Sequence, residues 1–293
     1  MPATNPSAAA ALAEFVAKNG PWTAHPIQLA PGVATISEGV NENQLLYLAR
    51  VVQAVRDLAG PIDQLRVLDL GALEGGFAIE LAMQGAQCVV VEGRQVNCDR
   101  IRFATEALGL KSVEIVQADV RTLDVARLGT FDVVLCLGLF YHIDRSSILP
   151  FARLLHALTK RVCIIDTHVA FFDRHTLTDG GSTYTGDLFV EHAPDATEAQ
   201  LLANNWASLG RDPSFFFTEP SFCNLMQDLG FSSLVTVQNP YYRTMMDRRT
   251  FAAIKGTPTP LRSHPLQESG RHPEQGSRAV VEPLNKLPKG LAI

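Results

Sequence analysis

From Arg66 onward the chain alternates two hydrophobic patterns. RVLDLG, QCVVVEG, SVEIVQAD, FDVVLCLG and RVCIID are short runs rich in Val, Ile and Leu, as expected of strands covered on both faces. Between them, FAIELAMQ up to Gly85, QVNCDRIRFATEAL up to Gly109 and ILPFARLLHAL place apolar residues at three- and four-residue spacing, which predicts helices. Strand and helix in turn require right-handed crossovers, so the pattern predicts an α/β fold with a doubly wound, mostly parallel sheet. After the fifth strand the rhythm lapses from Thr167 to Phe217. It resumes with a helix over TEPSFCNLMQDLG, with Thr218 as candidate N-cap and Gly230 as stop, then closes on FSSLVTVQN and RRTFAAIKG. Two strands with no helix between them predict an antiparallel pair closing the sheet edge, for a seven-stranded sheet with an antiparallel edge strand.

Ahead of this core lie a short helix at residues 8–18, stopped by Asn19-Gly20, and a longer one from Glu42 to Leu58. Leu45, Leu48, Val52 and Val55 form the apolar stripe of the second. The chain therefore divides into a helical prelude at 1–60, a main domain at 61–256 with an insertion at 167–217, and a tail at 257–293. That tail holds six of the 17 prolines and no aromatic residue, a composition expected to stay mobile.

Composition narrows the class. Of 293 residues, 46% are hydrophobic and 19% charged, which excludes wholesale disorder. No apolar run reaches the ~18 residues of a membrane helix, so no membrane association is expected. With 25 Lys and Arg against 30 Asp and Glu, the net charge of -5 gives no general attraction for nucleic acid. Five cysteines without CxxC spacing read as reduced thiols of a cytoplasmic protein. The N-terminal stretch has no basic segment and carries Glu14 inside its apolar part, so no export signal is expected.

The chemistry is concentrated in VLDLGALEGGFAIELA. A strand ends at Asp69-Leu70, and Gly71, Gly75 and Gly76 let the backbone turn before a helix whose first N–H groups are unpaired. Glu92 ends the next strand 21 residues after Gly71, where a carboxylate can accept bonds from both ribose hydroxyls. A dinucleotide fingerprint would need glycine at position 73, where this chain has leucine. The run Asp69-x-Gly71-x-x-x-Gly75 instead resembles the first motif of the class I S-adenosylmethionine-dependent methyltransferases. VQAD ending in Asp119, FDVVLCLGLFYHI and RVCIIDTHV extend the resemblance over roughly Arg66 to Asp166.

That resemblance implies S-adenosyl-L-methionine as cofactor on a Rossmann-like methyltransferase fold. Gly71, Ala72, Gly75 and nearby backbone would hold its amino-acid end, with Asp69 shaping the loop. Glu92 and Gly93 would meet the ribose, and Asp119 with Val120 the adenine. Leu137 and Gly138 would border the methyl donor. The departure is Ala72-Leu73-Glu74, where many members have a glycine in the middle.

Methyl transfer to a hydroxyl needs alignment and a base. His142 and His168, just beyond the fourth and fifth strands, are the candidates; the alternative for His142 is local packing beside Tyr141. No metal is expected, although Asp166 and His168 point to the same side of a strand end and could join His142 or Asp144 around a divalent cation. Eight aromatics between Thr167 and Phe217 predict either a lid lining the acceptor pocket or a satellite core. The favoured acceptor is a small molecule, methylated at oxygen, with a sugar or secondary metabolite in view. A second reading is a tRNA-modifying methyl- or alkyltransferase, for which Arg243, Arg248 and Arg249 are the best basic cluster. A third is a catalytically silent cofactor-binding protein. The prelude and tail are both available for a homodimer contact or as a lid, the prelude then acting as a cap.

Overall fold

The computed structural model describes residues 6–238, 246–257 and 259. The tail predicted from residue 257 and Arg243 of the basic cluster therefore lie outside the described residues, residues 257 and 259 excepted.

The chain opens with α1 (Pro6–Asn19), the short hairpin β1 (Gln28–Ala30) and β2 (Val33–Ala34), and α2 (Glu42–Ala59). The alternating core follows: β3 (Arg66–Leu70), α3 (Gly76–Met83), β4 (Gln87–Glu92), α4 (Gln95–Ala107), β5 (Val113–Gln117), α5 (Val125–Leu128), β6 (Phe131–Leu137), α6 (Ile148–Leu158) and β7 (Thr159–His168). The insertion holds β8 (His175–Asp179), β9 (Ser182–Phe189), α7 (Glu198–Ala203) and β10 (Ser214–Phe217). The chain then forms α8 (Glu219–Leu229), β11 (Ser233–Thr236) and β12 (Arg248–Ile254).

Seven strands make one sheet in the order β11-β12-β7-β6-β3-β4-β5. The pairs among β3 to β7 are parallel, and β12 runs antiparallel to both β7 and β11. The antiparallel member thus sits one place in from the edge, because the last strand inserts between β7 and β11. Alternate residues feed two cores. Leu68, Leu70, Cys163, Ile165 and Phe251 face α6 and α8. Val67, Val90, Val162, Ile164 and Ala252 face α2, α3 and α4. By the same alternation Asp69, Asp166, Arg248 and Thr250 fall on the α2 side, at the carboxyl ends of the parallel strands. Thr218 occupies the N-cap of α8, but its side chain makes no capping bond.

The insertion is a separate three-stranded antiparallel sheet, β10-β9-β8. Tyr184, Phe215 and Phe217 turn into the core beside Phe140 and Phe222, whereas Phe171, Phe172, Phe189 and Trp206 are exposed. No described helix is long and apolar enough to cross a membrane.

Candidate active site

The carboxyl ends of β3 to β7 border a cavity of about 390 Å³, at the edge where open α/β sheets bind ligands. Asp69, Gly71, Ala72, Glu92, Gly93, Asp119, Val120, Leu137, Gly138 and His142 all line it. Residues read separately along the sequence therefore converge on one place.

The glycine loop explains itself locally. Gly71 turns at φ 62°, and a Cβ there would come within 3.0 Å of Leu139. Leu73 holds φ 54°, a conformation costing a non-glycine residue about 1–2 kcal/mol. Its N–H is held by Glu92 Oε2 at 2.9 Å, so this chain makes the left-handed turn with a leucine. Gly75 does not line the cavity: it is the left-handed N-cap of α3 at φ 76°, 2.9 Å from Ile101 at its absent Cβ.

Glu92 is only 4% exposed. Besides Leu73 it accepts from the Arg94 N–H at 2.9 Å and the Asn97 amide at 3.4 Å. Burial raises its pKa against these bonds, and a carboxylate's remaining lone pairs are free for a sugar. Asp119 caps the turn Val120–Thr122 and grips Arg121 through Nε at 3.0 Å and Nη2 at 2.7 Å. Arg121 reaches on to Asp144 at 2.9 Å. Against burial, bonds from Ser146, Ser147 and Arg121 bring Asp144 down to about 2. Burial pushes Asp69 up to about 7, against a bond from Ala78 and with the charge of Glu92. Its Oδ2 is buried without a hydrogen-bond partner, and so is Arg50 Nε.

His142 and His168 part company. His142 lies in the cavity with Nδ1 2.6 Å from Glu191 Oε2, and its Nε2 makes no hydrogen bond to a described residue. Glu191 also takes the Ser208 N–H at 2.8 Å and the Ser214 hydroxyl. Against burial, bonds from His142, Ser214 and Ser208 hold Glu191 below the usual carboxylate range. His168, expected as an alternative base, is not among the lining residues. β7 keeps pairing with β12 as far as His168, which carries the ring past the rim onto Phe216 and Tyr141, with Nδ1 2.8 Å from Asp247. Asp166 is engaged by Arg248 Nε and the Thr250 hydroxyl, both at 2.7 Å. The Asp166–His168 ligand pair is therefore corrected: each is committed elsewhere, and the described residues contain no group of three or more such side chains able to hold a metal ion. Of the eight aromatics of the insertion only Trp206 lines the cavity, while Tyr184, Phe215 and Phe217 take the core alternative.

Sequence reasoning allowed the prelude to act as a cap but named none of its residues at the cavity. Asn41, Gln44, Tyr47 and Arg50 all line the cavity, and their three-residue spacing along α2 was the available signal. His25 reaches it because Glu74, completely buried, accepts from the backbone N–H groups of Thr23, Ala24 and His25 at 2.6, 2.9 and 2.9 Å. His25 Nδ1 in turn accepts the Gly76 N–H at 3.1 Å, at the start of α3. Glu191 had no signal at all: it meets His142 from 49 residues away.

Residues 67–161 match a family model described as a methyltransferase domain. The chain is similar to the ubiquinone biosynthesis O-methyltransferase of Rickettsia prowazekii (strain Madrid E), 25% identical over 117 residues, or 40% of this chain and 45% of that protein. It is likewise 26% identical over 110 residues to the protein of the same name from Rickettsia conorii (strain ATCC VR-613 / Malish 7), covering 38% of this chain and 37% of that protein. The match spans less than half the length of both curated relatives. Among solved structures, the N-terminal domain of EvdMO1 with SAH bound is 25% identical, with a TM-score of 0.65 over 84% of this chain and 95% of that one. The same domain in the presence of SAH and D-fucose aligns at 23% identity with the same TM-score of 0.65 and the same coverage, 84% and 95%. The matched segment runs from the strand before the glycine loop to the fifth parallel strand, and on it the chain belongs to the class I S-adenosylmethionine-dependent methyltransferase superfamily.

Proposed function

We propose that the chain transfers a methyl group from S-adenosylmethionine to an oxygen of a small hydroxylated acceptor, with His142 as general base. The observation that carries this reading is the His142–Glu191 pair. With a carboxylate oxygen 2.6 Å from Nδ1, the neutral imidazole carries its proton on that nitrogen and leaves Nε2 as the acceptor. A base oriented by a buried carboxylate is the arrangement a hydroxyl nucleophile requires. The match to O-methyltransferases supports oxygen as the acceptor atom. Because the EvdMO1 domain was solved in the presence of D-fucose, a sugar is the first acceptor to try.

The cofactor fits the residues present. Asp69 Oδ2 and Arg50 Nε, an acceptor and a donor both without a partner, suit the ammonium and carboxylate of its amino-acid end. Glu92 has acceptor capacity for the ribose, and Asp119 with Val120 would border the adenine. When bound, the cofactor supplies an electrophilic methyl carbon on a sulfonium. The bare backbone at Gly71 and Gly138 allows close approach, and Leu139 and Tyr141 wall the reacting region from water. His142 Nε2 would take the acceptor's hydroxyl proton as the oxygen–methyl bond forms and the methyl–sulfur bond breaks with SAH as leaving group, and Glu191 would stabilise the resulting imidazolium. Arg248 pairs with Asp166 and Arg249 with Glu219 Oε2 at 3.1 Å, so the described part of the basic cluster presents neutralised charges, which favours a small acceptor over tRNA.

His142→Ala is expected to lower kcat roughly 10²- to 10⁴-fold while calorimetry finds SAH affinity unchanged. Unaltered turnover in that variant removes His142 as base. Absence of SAH binding to the wild-type protein removes the whole reading.

A further inference from the structure

Residues 205–210 of the insertion line the cavity beside Glu92, Gly93, Asp119 and Arg121. Arg94, 8% exposed, holds them there. Its Nε donates to the Leu202 carbonyl at 3.1 Å, and its Nη2 lies 3.2, 2.6 and 2.9 Å from the carbonyls of Leu201, Asn204 and Ala207. The Leu201 and Leu202 carbonyls lie in the last turn of α7, where they have no partner within the helix, and a guanidinium is well shaped to collect them together with those of Asn204 and Ala207 beyond its end. The contact is close on the neighbouring residue as well: a Cβ on Gly93 would stand 2.4 Å from Leu209 Cδ1. On this loop Trp206 is 63% exposed while lining the cavity, and it has no ring partner among the described residues.

We infer that residues 204–210 form the outer wall of a nucleoside site, with Trp206 as the ring that covers the purine and Arg94 as the positioning residue that holds the wall in place. The inference rests on the S-adenosylmethionine reading, which puts ribose at Glu92 and adenine at Asp119. An indole at the mouth of a cavity offers a face to any base, and such stacking is a strong, sequence-tolerant source of purine affinity. The same loop is tied to the proposed base, since Glu191 accepts the Ser208 N–H and His142 at one oxygen.

The chain has two tryptophans, which makes the test direct. Trp22 is 4% exposed, packed between Phe15 and Phe103, so Trp206 dominates any ligand-induced change in emission. Titration with SAH or adenosine is expected to change tryptophan emission, and titration with methionine is not. In Trp206→Phe that response disappears while calorimetry still detects SAH. Trp206→Ala is expected to weaken SAH about tenfold or more, and Arg94→Lys, which keeps the charge without the fork, should weaken SAH and adenosine by equal factors. SAH binding to the wild-type protein with no change in emission overturns this inference alone, as does unchanged affinity in Trp206→Ala. No SAH binding at all overturns the cofactor reading and this inference with it.

Discussion

Asp69, buried, and His25, half-buried, line the same cavity, and their protons respond in opposite senses. Burial pushes Asp69 from 3.8 up to about 7. Its folded state holds a proton that the unfolded chain releases, so between pH 4 and 7 this group lowers stability as pH rises. Burial drives His25 from 6.5 down to about 4, against the charge of Glu74. Its unfolded state takes a proton that the folded state refuses, so stability present above pH 6.5 is lost as pH falls toward 4. The two trends offset each other between pH 4 and 6.5. Asp69→Asn is therefore expected to steepen the loss of Tm on acidification, and His25→Asn to flatten it. Thermal melts across that range check both. Asp69 was legible as part of a glycine-loop motif. His25 was not, because its role depends on a carboxylate that sits 49 residues later.

Among the elements, the prelude gains most from the tertiary structure. Its helices were legible from their stripes, yet nothing local shows that the loop between them docks on the glycine loop. Glu74 does this: fully buried, it also accepts from the Thr23 hydroxyl and faces Arg100 at 3.5 Å. Glu74→Ala leaves Arg100 and three backbone N–H groups without their acceptor. It should cost on the order of 3–5 kcal/mol, read by chemical denaturation, and should weaken SAH binding as His25, Tyr47 and Arg50 lose their places. The insertion shows the reverse limit. Its aromatic density was plain, but pairing of β9 with β10 decides which rings go inward, so Phe215 and Phe217 pack in the core and Phe216 lies against His168.

For the molecule as a whole, three separate stretches of chain enclose one cavity: the prelude, the strand ends and the insertion. A ligand that bridges all three stabilises the folded state by mass action. SAH at a hundred times its Kd is expected to add about 2.7 kcal/mol, which at this size raises Tm by roughly 4 °C; a shift confined to a degree or less would mean that the cavity does not close around it. The parallel sheet, the glycine turn, Glu92, Asp119 and the position of His142 were determined by sequence alone, because period, turn chemistry and strand ends act over a few residues. Tertiary structure decided which histidine reaches the cavity, that β12 lies between β7 and β11, that Arg94 and Trp206 line the cavity and that Glu191 meets His142. Those depend on contacts between residues tens of positions apart, whose burial and hydrogen bonds come into being only when the layers pack.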